Sequence, residues 1–425
     1  MEVKRWELMP HVYLTYLPAR KFKTGVLSAQ FITPLAKETA SYNALLPAVL
    51  HRGTMRCPDM EQLAAAMDRL YGAQISPTIR KRGETQCLGF VASFIDDRFV
   101  SRNEPLLEPA AELLGELLLD PVTRGGRFLQ EYVEGEKANL ADAIRAIRND
   151  KRDWADLRLL QEMCAGEPYG ISRFGDEAGL AKINNQKLYA HSQRMMSSSR
   201  LELFYCGSAS LERVREALAA AFATLPRDGI RDIAPSTPHP ARTEVKRVEE
   251  AMDVTQGKLA MGFRTGGVTC WEEEYPAMAM CNAVFGGTTL SKLFMNVREK
   301  LSLCYYASST LEKMKGLILV SSGIEFDKFQ QARDEILHQL EEIRQGNMED
   351  WELEGTRRTM IGAHLATLDV QDRQEDFWLG QTAAGLETGI EELVAQLEQV
   401  TREQVAQAAQ KLELDTIYFL KGTEG

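Results

Sequence analysis

Histidine is scarce in this sequence, and its spacing excludes more than its number. Six are present, at positions 11, 51, 191, 239, 338 and 364, and no two lie three or four apart. A helix therefore cannot set two imidazoles on one face, as helical zinc sites of hydrolases do. Cysteine offers neither a metal cluster nor a disulfide framework. Its seven residues are odd in number, at least eleven positions apart, and include no Cys-x-x-Cys. That pattern fits buried thiols in a reducing compartment. No stretch reaches the roughly 18 uncharged apolar residues of a membrane span, and Met1 to Arg20 carries Glu2, Lys4, Arg5 and Glu7 where a signal peptide would be apolar. The expectation is a cytoplasmic protein without membrane contact. Positive charge is not in excess: the net charge of −11 argues against nucleic-acid binding. It slightly favours neutral or basic peptides as partners, although solubility alone accounts for it. There is no Gly-x-Ser-x-Gly elbow, Ser197-Ser198-Ser199 reads as a polar turn before a strand, and Gly286-Gly287 lacks the lysine and spacing of a phosphate loop.

What is present is a repeated order of elements. The chain of 425 residues exceeds the size at which one core keeps growing, so two domains are expected. Pro226 to Pro240 carries four prolines and no periodicity, and reads as a linker. On each side of it a strand-like run (Leu88–Ile95, Leu317–Ile324) precedes a helix (through Leu119, and Phe326 to Ile343). Long charged helices follow in the middle of each half, Phe128 to Arg148 and Met348 to Leu368. Each half ends in a helix and a short strand: Leu180 to Ser197 with Leu201–Gly207, and Leu397 to Leu412 with Thr416–Gly422. The second of these helices opens with Thr401-x-x-Gln404, a capping-box pattern. The repetition predicts an N-terminal domain over 1–225, a linker over 226–244 and a C-terminal domain over 245–425. The class is α+β, each domain a mixed, mainly antiparallel sheet packed against helices. An up-down helical array is the alternative, and the runs rich in Val, Ile, Phe and Tyr oppose it.

Arg52-Gly53-Thr54, Leu63 through Gly72, Phe285-Gly286-Gly287, Leu293-Phe294, Val297-Arg298-Glu299-Lys300 and Leu303-Cys304-Tyr305 stand out as motifs. In type and spacing they resemble the pitrilysin, insulinase and mitochondrial-processing-peptidase family of inverted zinc peptidases. The resemblance spans nearly the whole chain and implies two homologous domains arranged as a clamshell. It also implies His-x-x-Glu-His where this chain reads Ala44-Leu45-Leu46-Pro47-Ala48. There the histidines would hold zinc and the glutamate would act as base. With Glu136 at the family's earlier acidic position, the distal ligand position falls on Ala143. All four functional positions are thus replaced. Zinc lowers the pKa of bound water from about 15.7 to about 7, roughly eight orders of magnitude in hydroxide. No side chain left at these positions supplies an equivalent. His51 could be a lone ligand or a packing residue, and His338-Gln-Leu-Glu341-Glu342 lacks a second histidine. No metal or cofactor is expected in this chain.

By the same resemblance Arg298 and Tyr305 match the family's arginine–tyrosine pair, which hydrogen-bonds the substrate near the scissile carbonyl. A guanidinium and a phenol can steady negative charge there. Without the family, a surface ion pair for Arg298 and a core role for Tyr305 would explain both. Gly286 and Gly287 resemble the glycine-rich loop with which non-catalytic processing-peptidase subunits handle substrate, or they mark a helix-to-loop bend. The expectation is a non-catalytic, substrate-binding or regulatory subunit of a heterodimeric zinc metallopeptidase. Its partner would be a homologous subunit with an intact zinc motif, and zinc would reside there. Among bacterial paired proteins the chain looks similar to those associated with elongation factor P modification. A structural or interaction protein without a role in proteolysis is the rival reading, and an enzyme with an unorthodox metal site is a third.

Overall fold

The structure is a computed structural model that describes residues 3–100 and 104–423. The chain forms two compact units, and neither is continuous in sequence. The first comprises Met1–Ile144, Ile171–Ala234 and Val370–Gly385, the second Arg145–Gly170, Pro235–Asp369 and Leu386–Gly425.

The sheet of the first unit is built from β1 (Lys4–Met9), β2 (Val12–Pro18), β3 (Thr24–Pro34), β4 (Gln74–Arg82), β5 (Thr85–Ile95) and β6 (Arg200–Gly207). Their order is β1-β2-β6-β3-β5-β4. Only β2 and β6 run parallel. Strand β3 is buried along almost its whole length, as a central strand covered on both faces should be. On one face its Leu27, Ala29 and Phe31 meet Leu88, Phe90 and Ala92 of β5 and the helices Ala40–Leu50 and Leu107–Leu119. On the other face the helix Gln371–Ala384 sets Trp378 against Leu17, Val26 and Phe204, and Leu379 against Ile32 and Cys87. That helix is also held by polar contacts. Gln371 Nε2 donates to the Cys206 carbonyl at 2.9 Å, and Arg80 of β4 pairs with the buried Glu375 at 2.7 Å.

The second unit repeats the plan with β7 (Lys246–Met252), β8 (Gly257–Arg264), β9 (Cys304–Glu312), β10 (Leu317–Ile324) and β11 (Glu413–Gly422), in the order β7-β11-β8-β10-β9. Here β7 and β11 are the parallel pair. Setting β1 aside, the two sheets share one order and one set of strand directions, which is the expected repeat in three dimensions. One face is covered by helices that include Phe329–Arg344, whose buried Ala332, Ile336, Gln339, Leu340 and Ile343 recur at helical period. The other face is covered by the helix Lys151–Met163. Its Ala155 and Leu159 pack on Ala260, Tyr418 and Leu420, and its Met163 lies with Leu317. Asp150 caps this helix, accepting from the amides of Arg152 (3.0 Å) and Asp153 (3.1 Å). Each sheet is thus completed by a helix from the opposite half of the sequence.

The stretches expected as helix over Leu180 to Ser197 and Leu397 to Leu412 are each interrupted, the second where its expected capping box opens the last piece. The first is divided into Glu177–Ala181 and Asn185–Ser198, because Asn184 turns the backbone extended and caps the second piece through the Lys187 amide. The second divides into Ile390–Gln399 and Arg402–Gln410, with Thr401 and Gln404 forming the reciprocal capping box. In these cases the cap residue ended one helix by starting the next. Residues 226–243 form no helix or strand, yet they are pinned. The Arg227 guanidinium donates to the carbonyls of Pro10, His11, Met196 and Ser199 within the first unit. Within the second, buried Lys315 donates to the Thr237 carbonyl at 2.5 Å. Among the described residues no helix is long and apolar enough to cross a membrane.

Candidate functional site

The degenerate motif lies on the helix Ala40–Leu50. Ala44 and Ala48 are four apart and so share a face; Ala44 is buried and Ala48 partly so. Pro47 is buried inside the same helix and, having no amide hydrogen, cannot bond the Asn43 carbonyl as a helical residue would. Ala143 is exposed on the helix Gln130–Ile147. A zinc ion needs lone pairs on nitrogen, sulfur or oxygen. Methyl groups and a pyrrolidine ring offer none, so these residues do not fit the metal. Nor do three or more His, Cys, Asp or Glu side chains gather to hold a metal ion anywhere among the described residues.

Nearby, Arg52 and Glu136 are engaged with each other. Arg52 Nε donates to Glu136 Oε1 at 2.5 Å, and its guanidinium lies 5.9 Å from the Tyr132 ring centroid. The acid that survives on this helix is therefore neutralised. His51 ends the motif helix with its ring 5.9 Å from that of Phe90, and its Nε2 is buried without a hydrogen-bond partner. Burial lowers its pKa, so the ring is a neutral packing group. Beneath the motif is a buried network that the sequence did not announce. His191 Nε2 meets Asn43 Oδ1 at 2.7 Å, and Asn43 Nδ2 donates to Gln86 Oε1 (2.9 Å) and Thr33 Oγ1 (3.1 Å). Burial pushes His191 down to about 4, which keeps it neutral. Partners up to 148 positions apart leave no local pattern that could have disclosed it.

In the second unit the backbone is unusual between residues 283 and 302. Ala283–Gly287 and Leu293–Lys300 are coiled as wide, π-type turns rather than α-helix. The second stretch leaves through Ser302, a non-glycine residue with φ +49°, while the Leu303 amide reaches the Val297 carbonyl at 3.0 Å. Such turns and left-handed residues concentrate at functional sites because they cost energy elsewhere. The segment is braced from behind. Lys292 Nζ pairs with Glu352 (3.1 Å), both nearly inaccessible, and Asn296 Nδ2 donates to Gln339 Oε1 at 2.7 Å. Leu293 and Val297 are fully buried.

Arg298 and Tyr305 emerge from this braced segment. The Arg298 side chain is 40% exposed, with its guanidinium 4.6 Å from the Phe294 ring centroid and its Nε 3.5 Å from a Glu299 oxygen. Tyr305, near the start of β9, is 69% exposed and so is not a core residue. No hydrogen bond links the two among the described residues. Gly286 and Gly287 part ways. Gly286 is buried, and a Cβ there would lie 2.6 Å from the Ser309 amide nitrogen, so glycine lets the wide turn approach β9. Gly287 is exposed.

Residues 182–360 match the family described as "Peptidase M16 inactive domain". Over 425 residues the chain is 36% identical to a Bacillus subtilis protein described as "Probable inactive metalloprotease YmfF", covering 100% of this chain and 98% of that one. A Mycobacterium tuberculosis protein described as an uncharacterized zinc protease is 23% identical over 312 residues, 71% of this chain and 68% of its own. Among solved structures, a conserved protein from Enterococcus faecalis superposes with TM-score 0.91 at 28% identity, covering 100% of this chain and 99% of that one. A structure from Pseudomonas fluorescens titled as a peptidase M16 inactive domain gives TM-score 0.80 at 17% identity, covering 100% and 99%. At 36% identity over its full length to a protein described as a probable inactive metalloprotease, the chain belongs to the M16 peptidase family as an inactive member.

Proposed function

We propose that this chain is the non-catalytic, substrate-binding subunit of a heterodimeric zinc metallopeptidase acting on peptides, and that Arg298 and Tyr305 are its contribution to the shared site. The observation that carries the reading is an asymmetry. Ala44, Ala48 and Ala143, which the resemblance aligns with metal ligands, offer no lone pair, whereas Arg298 and Tyr305 are presented to solvent from a segment whose irregular backbone is braced by a buried ion pair. A guanidinium and a phenol in solvent are competent hydrogen-bond donors to a peptide carbonyl. The partner is then a homologous subunit with an intact His-x-x-Glu-His motif, and the zinc belongs to it. Of the glycine loop, Gly287 remains available to a passing peptide backbone, while Gly286 serves packing.

The test is a peptidase assay on the zinc-bearing homologue with and without this chain. Addition of the chain is expected to raise cleavage. Arg298→Ala or Tyr305→Phe is expected to lower it in the mixture by about 10²-fold, the scale of one lost oxyanion donor. Unchanged rates with both variants would refute the shared site. The contacts of Arg298 with Phe294 and Glu299 need no substrate, and they favour the second reading, an interaction protein without a role in proteolysis. That reading expects association with no change in cleavage.

A further inference from the structure

The motif Leu293-Phe294 places two apolar side chains in different surroundings. Leu293 is fully buried, and so is Val297 four positions on, so these two form the inward row of the stretch Leu293–Lys300. Phe294 and Arg298, also four apart, form the next row and are each half-buried. The Arg298 guanidinium lies over the Phe294 ring, 4.6 Å from its centroid and within cation–π range.

Two groups contact this guanidinium, and they are unequal. Glu299 approaches only Nε, at 3.5 Å, too long for a strong hydrogen bond, and its side chain is 51% exposed. Water screens such a pair. The Phe294 ring instead stands on backbone fixed from behind, between the Lys292–Glu352 ion pair and the Asn296–Gln339 hydrogen bond. Among the described residues none accepts a hydrogen bond from Arg298. A phenyl ring has no lone pair to occupy an N–H, so it restrains a long side chain of large rotamer freedom and leaves its donors open. A carboxylate in the same place would take them.

We infer that Phe294 is a positioning residue for Arg298. Its ring holds the guanidinium at the surface with the N–H donors left for a peptide carbonyl. The ring's hold on the guanidinium stands on the contact itself, and the use of the donors rests on the proposed function.

The test has one arm in the chain alone and one in the mixture with the zinc-bearing homologue. In NMR spectra of the arginine side chains, Arg298, identified by the loss of its signals in Arg298→Lys, is expected upfield of the exposed arginines through the ring current. Phe294→Tyr should keep this displacement, and Phe294→Leu, which keeps apolar bulk without a ring, should abolish it. An undisplaced wild-type signal, or one unchanged in Phe294→Leu, would overturn the inference, and the wild-type signal decides should that variant not fold. In the mixture Phe294→Leu is expected to lower kcat/KM about two- to fivefold, a cation–π contact at an exposed site expressed as a ratio. Phe294→Tyr should restore the rate, and in an Arg298→Ala background Phe294→Leu should cost nothing further. A loss that persists without Arg298, or no loss where Arg298→Ala has one, would equally overturn it. If Arg298→Ala itself leaves cleavage unchanged, the subunit reading fails and the spectra alone decide the role of Phe294.

Discussion

At the scale of single residues, chemistry decides more than conformation. Ala44, Ala48 and Ala143 have no lone pair to give, and no rearrangement of the backbone supplies one. Glycine at 286 is decided by space instead. Adding one methyl puts a carbon 2.6 Å from the Ser309 amide nitrogen and 2.8 Å from Leu293 Cδ1. Gly286→Ala is therefore expected to destabilise the protein by about 1–3 kcal/mol, the usual scale of overpacking. At Gly287 the added carbon would lie 3.1 Å from Asn282 Nδ2 and 3.2 Å from the Asn282 carbonyl oxygen, a looser fit than at 286, and Gly287→Ala should cost less. Denaturant unfolding of the two variants side by side measures the difference. The sequence showed two adjacent glycines and left open whether they served substrate or a bend. Only the position of Ser309, 23 residues on, separates them.

At the scale of elements, the segment that presents Arg298 depends on a pair it does not contain. Lys292 precedes the wide helical stretch Leu293–Lys300, and Glu352 lies in the first turn of the helix Asp350–Thr367. Glu352 also accepts from the Glu349 amide at 2.8 Å, so one carboxylate both caps a helix and holds the segment. Lys292→Met leaves that carboxylate buried beside a thioether and is expected to cost about 3–5 kcal/mol. The double variant Lys292→Met/Glu352→Gln removes the stranded charge and should recover part of the loss. Thermal unfolding of the single and double variants checks this. The pattern in the sequence located the helices Phe329–Arg344 and Asp350–Thr367 well, because helical periodicity and charge along a segment are local signals. It did not reveal the π-type turns, since these arise where the chain must fit both a buried pair and an approaching strand. The break at Asn184 shows the same limit at smaller scale, whereas Thr401 opens its helix as the capping-box pattern indicated.

At the scale of the whole chain, the backbone passes between the two units five times, at 144/145, 170/171, 234/235, 369/370 and 385/386. Cutting at the linker therefore does not separate two self-sufficient domains. A fragment ending at Ala234 would carry the helix that covers the second sheet and lack the one that covers its own. It would leave Leu17, Val26, Phe204, Ile32 and Cys87 without Trp378 and Leu379. Fragments 1–234 and 235–425 are expected to be poorly soluble apart and to recover solubility when produced together. Equal solubility and cooperative unfolding of each fragment alone would contradict the exchange. The linker composition announced a segment without periodic structure, and residues 226–243 form neither helix nor strand. Its tethering by Arg227 and Lys315 to distant carbonyls was not legible, because a backbone carbonyl has no signature in sequence.

By itself the sequence determined the loss of zinc chemistry, the internal repeat and the α+β class. The first rests on side-chain identity, which folding cannot alter, and the others on local periodicity. Tertiary structure alone decided which sheet receives each covering helix, and that Gly286 is buried against β9 while Gly287 is exposed. The physical reason is that hydrophobic burial is non-directional. A periodic apolar face states that a helix must be covered, and only the packed chain states by what.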